Sequence, residues 1–277
     1  MSDLFATLGV LAAAGALAGF SAGLFGIGGG SVIVPALFFA FRSLGVDESV
    51  LMHSCVATSA AVIIVNGYRS VRSHHARGSV DMGLLLPRAW WNSYALWIAL
   101  GSFVAATLLA PRLSSDALTL VFAVVAMGVA MQFIVGRTDR VLRSAVPGGA
   151  GPPLVGSVIG ALSAVMGIGG GSLSVPFLTL CGMPVHRAVG TAAGFGLAIA
   201  VPATLGFVIS GWGVPGRLPG SLGYVSGLGF AAVVVCAWPF VPLGTRLAHR
   251  LRPGPLKRVF GVALGLVALN MARLAVG

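Results

Sequence analysis

The chain has 277 residues, of which 57% are hydrophobic and 8% charged, with a formal net charge of +11. A soluble domain uses about 25% charged residues to cover its surface, so this composition excludes an ordinary soluble protein. The basic residues fall in short stretches between apolar runs, where membrane orientation explains them better than a nucleic-acid partner does, and no nucleic acid is expected.

Apolar runs fall at about residues 4–25, 31–41, 50–68, 84–110, 117–136, 153–167, 172–182, 188–210, 222–245 and 256–276. Runs of 18 residues or more suit helices across a bilayer core about 30 Å thick. The expected fold is an all-α integral membrane protein with a bilayer as its solvent. The first run has no Lys or Arg before it, unlike a secretory signal peptide, and is expected to be retained. Cys55, Cys181 and Cys236 are far apart and predict neither a disulfide framework nor a zinc cluster.

The first run ends in an oligoglycine stretch, GIGGGSVIVPAL (Gly26 to Leu37), followed by a run of only about 11 residues. The same words return as GIGGGSLSVPFL (Gly167 to Leu178), and HSCVATSA (His53 to Ala60) returns as HRAVGTAA (His186 to Ala193). Two separate motifs repeated in the same order divide the chain into a first repeat, 1–145, and a second, 146–277, joined by the basic, Pro/Gly-rich RTDRVLRSAVPGGAGPP.

Arg69, Arg72, Arg77, His74 and His75 form one basic loop, Arg137, Arg140 and Arg143 a second, and Arg246, Arg250, Arg252, Lys257 and Arg258 a third. The positive-inside rule places all three in the cytoplasm, with Arg88 and Arg187, and leaves both termini outside. Five segments per repeat is odd, so the second repeat enters from the opposite face. Inverted repeats are an architecture for alternating access, with substrate near mid-bilayer.

The candidate binding residues sit at the glycine stretches. Consecutive glycines are poor helix formers, and Pro35 and Pro176 are expected to add to the helix break by freeing the carbonyls of Ser31 and Ser172. Each short helix then begins at Ser31 or Ser172 with exposed N–H groups and a positive dipole end, which suits an anion. Gly28, Gly29, Gly30 and Ser31, with Gly169, Gly170, Gly171 and Ser172, are therefore the substrate-binding candidates; the competing reading is that the glycines serve close helix packing. Thr58 and Thr191 are candidate hydrogen-bond donors to substrate. His53 and His186, five residues earlier and about 140° away around a helix, are proton-linked groups or structural contacts. Asn66, Asn92, Gln132 and Asn270 are expected to join helices, and the five tryptophans to mark the membrane interface.

Asp3, Asp47, Glu48, Asp81, Asp116 and Asp139 all lie in loops or at segment edges. Carriers of cations and protons commonly hold a carboxylate within a span, so the pattern favours an anion. There is no G-x-x-x-x-G-K-[ST] loop, and GIGGGS has serine where a dinucleotide fold needs its last glycine. No cofactor, metal or catalytic residue is expected. A carrier, a channel and, less favoured, an intramembrane enzyme built on Gly-Gly-Ser remain as readings.

GFSAGLFGIGGG (Gly19 to Gly30), GALSAVMGIGGGSLSVP (Gly160 to Pro176), the two H-x-x-V-x-T stretches and LGTRLAHRLRPGPLKRVFGVAL near the end together resemble the TauE/SafE sulfite exporter family over essentially the whole chain. The resemblance implies a secondary transporter in a prokaryotic cytoplasmic membrane, exporting sulfite or an organosulfonate such as sulfoacetate.

Overall fold

A computed structural model describes residues 2–26, 28–86, 89–135, 141–248, 250 and 253–276. Arg88, Arg137, Arg140 and Arg252, invoked above for topology, and Asp139, named among the acidic residues, lie outside the described residues. Twelve α-helices follow one another: α1 Ser2–Phe25, α2 Gly30–Ser43, α3 Glu48–His75, α4 Met82–Leu85, α5 Tyr94–Val104, α6 Ser115–Val135, α7 Ser157–Met166, α8 Gly171–Leu180, α9 Val185–Ser210, α10 Gly227–Ala237, α11 Phe240–Ala248 and α12 Pro253–Val276. A two-residue antiparallel pair, β1 Ser221–Leu222 and β2 Val225–Ser226, precedes α10.

All ten apolar runs are helical over most of their length. Among the described residues five helices are long and apolar enough to cross a membrane, α10 and α11 together make a broken span or a re-entrant loop bent by 50°, and the shorter apolar helices are those flanking the two glycine turns. The fourth run begins later than expected. Leu86, Trp90 and Trp91 are exposed around a single 3-10 turn, and the crossing helix starts at Tyr94, where Ser93 Oγ accepts from Leu96 N at 3.1 Å.

The prolines do not break their helices. Pro35 and Pro176 lie inside α2 and α8, and the chain breaks earlier, at the glycines. A proline this near a helix start removes a single ladder bond, and a membrane helix tolerates that where neighbouring helices cover the freed carbonyl.

Helix α3 runs through the middle, with eighteen buried residues from Val50 to His74. It lies along α9; α1 packs on α10 and α11, α5 on α7, and α6 on α12. Without a hydrophobic drive between helices in lipid, small residues set the approach. A β-carbon at Gly19 would stand 2.3 Å from Ala237 O, one at Gly23 2.0 Å from Val241 O, and one at Gly160 2.1 Å from Ile98 O. Helix pairs α1 with α10 and α7 with α5 are thus held by the same device.

Candidate functional site: two glycine turns in contact

Helix α1 ends at Phe25, and the chain turns through Gly26, Gly28 and Gly29, all with positive φ. Gly29, at φ +85°, stands immediately before α2. The second turn is built differently. Gly167, at φ +63°, closes α7 with its own N–H bonded to Ala164 O and that of Ile168 to Ser163 O, while Gly170 is already helical at φ −53°.

The turns meet. A β-carbon on Gly28 would lie 3.3 Å from Gly169 Cα, and one on Gly30 2.3 Å from Gly167 O and 2.8 Å from Ile168 Cα. Each turn also rests on the H-x-x-V-x-T helix of the other half: Gly26 against Val189 O (2.4 Å from an added β-carbon) and Gly167 against Val56 Cα (2.9 Å). The repeated valine is the residue on which the opposite turn sits, a role its sequence alone does not disclose. Gly29 and Gly170 are equally confined, by Ala18 O at 2.6 Å and Gly196 N at 2.7 Å. Close packing is therefore sufficient reason for these glycines, whatever else the turns do.

At the start of α2, the N–H groups of Val32 and Ile33 both donate to Gly29 O, at 3.0 and 3.1 Å; at the start of α8, Ser172 N donates to Gly169 O at 3.5 Å and Ser174 N to Gly170 O at 2.8 Å. Ser31 Oγ and Ser172 Oγ are buried, 3% and 2% exposed, and make no hydrogen bond. Buried hydroxyls are normally paired, so two unpaired ones at equivalent helix starts call for an explanation. Ser31 lines a cleft between α1, α2 and α12 of which Ser172 is not a part.

Thr58 and Thr191 are fully buried and already engaged. Thr58 Oγ1 accepts from Ser226 N at 2.9 Å, and Thr191 Oγ1 accepts from Asp81 N at 2.9 Å. Each bond runs from one half to the residue that caps the next helix of the other half, Ser226 for α10 and Asp81 for α4. The histidines part company. His53 is 4% exposed, donates from Nε2 to Ala110 O at 3.1 Å and stacks on Tyr224 with ring centroids 5.1 Å apart, whereas His186 is exposed.

Sequence reading passed over one face of α3. Ser59 Oγ donates to Gly167 O at 2.7 Å, Ile63 touches Gly28 and Gly30, Ser70 Oγ donates to Ala22 O at 3.1 Å, and His74 Nε2 donates to Gly23 O at 3.0 Å. These side chains bond carbonyls at the ends of α1 and α7, where that of Ala22 also accepts from Gly26 N. Asn66 lies between Ile63 and Ser70 on the same face, wholly buried, and neither amide atom has a partner. It does not join helices as expected. Asn92 does tie distant segments, accepting from Gly149 N at 3.2 Å, while Gln132 and Asn270 are exposed on α6 and α12.

Comparison with known proteins agrees with a membrane transporter. The chain is 33% identical over 262 residues to a "Probable membrane transporter protein" of Haemophilus influenzae, covering 93% of this chain and 95% of that protein. Similar proteins with the same description occur in Methanocaldococcus jannaschii, 26% identical over 95% of each chain, and in Bacillus subtilis, 24% identical over 95% of this chain and 96% of that one. No solved structure matches. A sequence model described as "Sulfite exporter TauE/SafE" matches residues 11–271, so this multi-pass membrane protein belongs to the TauE/SafE sulfite exporter family of membrane transporters.

Proposed function

We propose that the protein is a secondary transporter that exports a small anion, sulfite or an organosulfonate, across the cytoplasmic membrane by alternating access. The observation that carries the reading is the contact between the two glycine turns, each of which starts a half-helix carrying a buried, unpaired serine hydroxyl. Half-helix starts of this kind offer N–H groups and a positive dipole end to an anion that has lost its water. At α2 the N–H groups proposed to face it are those of Gly30 and Ser31, and at α8 those of Gly171 and Leu173, with Ser31 Oγ and Ser172 Oγ as side-chain donors.

The two halves, 1–145 and 146–277, act in this reading as inverted repeats with both termini outside the cytoplasm. Reciprocal contacts favour it: Gly26 on Val189 with Gly167 on Val56, Thr58 on Ser226 with Thr191 on Asp81, and α3 along α9. The touching turns are the seam that opens to one side at a time. Thr58 and Thr191 hold the loops that end at Ser226 and Asp81, and their hydroxyl protons remain free to point at substrate. Repetition of the serine motif suits a shared carrier site and gives no purpose to an enzyme's nucleophile.

The test is uptake by proteoliposomes of sulfite, sulfate, thiosulfate and short sulfonates, with sodium and potassium as controls. Saturable flux of one anion class is the expected result. Cation flux without anion flux would overturn the reading, and anion flux that never saturates would replace the carrier with a channel.

A further inference from the structure

Arg69, counted with a basic loop in the sequence, lies inside α3, six residues before the helix ends at His75. Its guanidinium rests 3.9 Å over the ring of Trp238, at the break between α10 and α11. Among the described residues no carboxylate pairs with it, and its Nη1 is buried without a hydrogen-bond partner. Stacking occupies one face of the planar cation and leaves its N–H edge unfilled. Three residues earlier stands Asn66, wholly buried, with both amide atoms unpaired. Residues three apart are neighbours on a helix surface, so two unpaired donors, one of them charged, stand side by side.

Their surroundings are fixed from both flanks. On one, Ser70 bonds Ala22 O of α1; on the other, Arg69 reaches the α10–α11 break; and α1 itself crosses that break with Gly19 against Ala237 O and Gly23 against Val241 O. Asn66 therefore points toward the junction of α1, α3 and the break. Ile63, one turn before it, touches Gly28 and Gly30 of the first glycine turn. At 1.5 Å per residue, Asn66 lies about 4.5 Å and Arg69 about 9 Å along α3 from that contact, toward the end that the positive-inside rule places in the cytoplasm. At the matching places in α9 stand Ile199 and Pro202, so one half alone carries the pair.

We infer that Asn66 and Arg69 form a second oxyanion subsite, which holds the anion on its way from the cytoplasm to the glycine turns. The N–H edge of Arg69 supplies charge-assisted hydrogen bonds and Asn66 Nδ2 a neutral one. Leaving a guanidinium nitrogen and an amide buried and unpaired is costly, and an oxyanion between them removes that cost, whereas a cation is repelled by Arg69. This inference rests on the small-anion reading and adds a fixed positive charge to a site otherwise made of backbone N–H groups and hydroxyls.

The experiment measures sulfite uptake by phosphatidylcholine proteoliposomes, together with the shift that sulfite causes in thermal unfolding of the same purified proteins. Arg69→Gln should raise the half-saturating sulfite concentration at least about tenfold and weaken the thermal shift, Asn66→Ile should raise it about tenfold, and Arg69→Lys, which keeps the charge without the fork, should fall between wild type and Arg69→Gln. Asn66→Asp sets a carboxylate beside Arg69, so it should compete with sulfite while raising the unfolding temperature in its absence. Trp238→Leu removes only the stacked ring; it should lower the unfolding temperature and leave half-saturation unchanged. Normal half-saturation in both Arg69→Gln and Asn66→Ile, with Arg69→Gln and Trp238→Leu losing stability alike, would reduce Arg69 to an anchor of the α10–α11 break and overturn the subsite while leaving the small-anion reading intact. Phosphatidylglycerol added to the vesicles tests a lipid phosphate as the occupant: competition with sulfite in wild type and none in Arg69→Gln would give the site to the headgroup and overturn the inference. Failure of the wild-type protein to carry any anion would remove the small-anion reading itself.

Discussion

Helices α3 and α9 lie side by side, begin with the same H-x-x-V-x-T stretch and each supports the glycine turn of the other half, yet their interiors differ. In α3, Ser59, Asn66, Ser70 and His74 are buried; at the matching places in α9 stand Ala192, Ile199, Ala203 and Phe207, also buried. The two turns explain part of this. The second turn closes its helix end through Gly167 and Ile168 N–H; at the first, Gly26 N–H donates to Ala22 O, and Ser70 Oγ and His74 Nε2 add side-chain bonds to Ala22 O and Gly23 O. The two helices thus share a backbone plan while their side-chain chemistry differs, and the polar side chains of α3 gather at the helix ends beside the glycine turns.

The largest effect should come from the turns. Gly29→Ala meets both a left-handed φ and the Ala18 carbonyl, so it should cost about 2–5 kcal/mol; Gly170→Ala keeps a helical φ, meets Gly196 N, Ala192 O and Phe195 C, and should cost about 1–3 kcal/mol. Thermal unfolding of the two purified variants gives the order, and equal losses would mean the turns are built alike. Because both positions are packed against backbone, loss of binding in a bulky variant there would say nothing about anions.

Asn66→Ile makes α3 resemble α9 at Ile199. Removing a buried amide whose two polar atoms are unpaired should raise stability by about 1–3 kcal/mol, since burial of such a group is costly. A loss of stability would show that Asn66 is paired in the folded protein. A gain in stability joined to a fall in transport would place it in the substrate path.

How far the sequence reached is clear from these same residues. The ten apolar segments, the breaks at the glycines and the pairing of the two motifs are written in hydropathy and repetition, which are local signals. Partners are not local. Nothing in H-x-x-V-x-T says that its valine carries the opposite turn or that its threonine receives an N–H from Ser226 or Asp81, because those contacts join residues more than a hundred positions apart. Pro35 and Pro176 misled for a related reason: their cost depends on distance from the helix start, and the glycines set that start earlier. His53 and His186 match in sequence, but Tyr224 and Ala110 cover only the first. At the site itself, the serines were legible from the glycine turns, whereas the apolar cleft needed α12, which lies more than two hundred residues from Ser31 in the chain.

The reciprocal threonine bonds offer a finer comparison. Thr58→Val leaves the N–H of Ser226 unpaired where that residue is 1% exposed and should cost about 1–2 kcal/mol, while Thr191→Val frees the N–H of Asp81 at a part-exposed position that water reaches, for less than about 1 kcal/mol. Paired thermal unfolding curves decide it; a larger loss at Thr191 would mean that the Asp81 loop is the more enclosed.

The smallest effect concerns the helix starts. Asp47 caps α3, accepting from Ser49 N at 2.8 Å and Ser49 Oγ at 2.6 Å, whereas α9 starts after Pro184 with no side-chain cap. The Ser49 hydroxyl, then the Ser49 N–H, hold the Asp47 carboxyl below its ordinary value of 3.8. A lowered folded-state value means that the contribution is present above the unfolded value and is lost as pH falls through the folded one, below about pH 4. Asp47→Asn should therefore narrow the difference from wild type in acid; a difference that persists undiminished there would assign the effect to something other than ionisation.

The most direct test of anion transport by paired half-helices is sulfite uptake by proteoliposomes carrying Ser31→Ala, Ser172→Ala or both, alongside thermal stability of the same proteins. Each hydroxyl is buried without a hydrogen-bond partner, so removing it should leave stability equal or higher. Each single change should raise the half-saturating sulfite concentration about tenfold, the loss of one hydrogen bond to a charged acceptor, and the two should multiply. Half-saturation unchanged in all three well-folded variants would contradict the account.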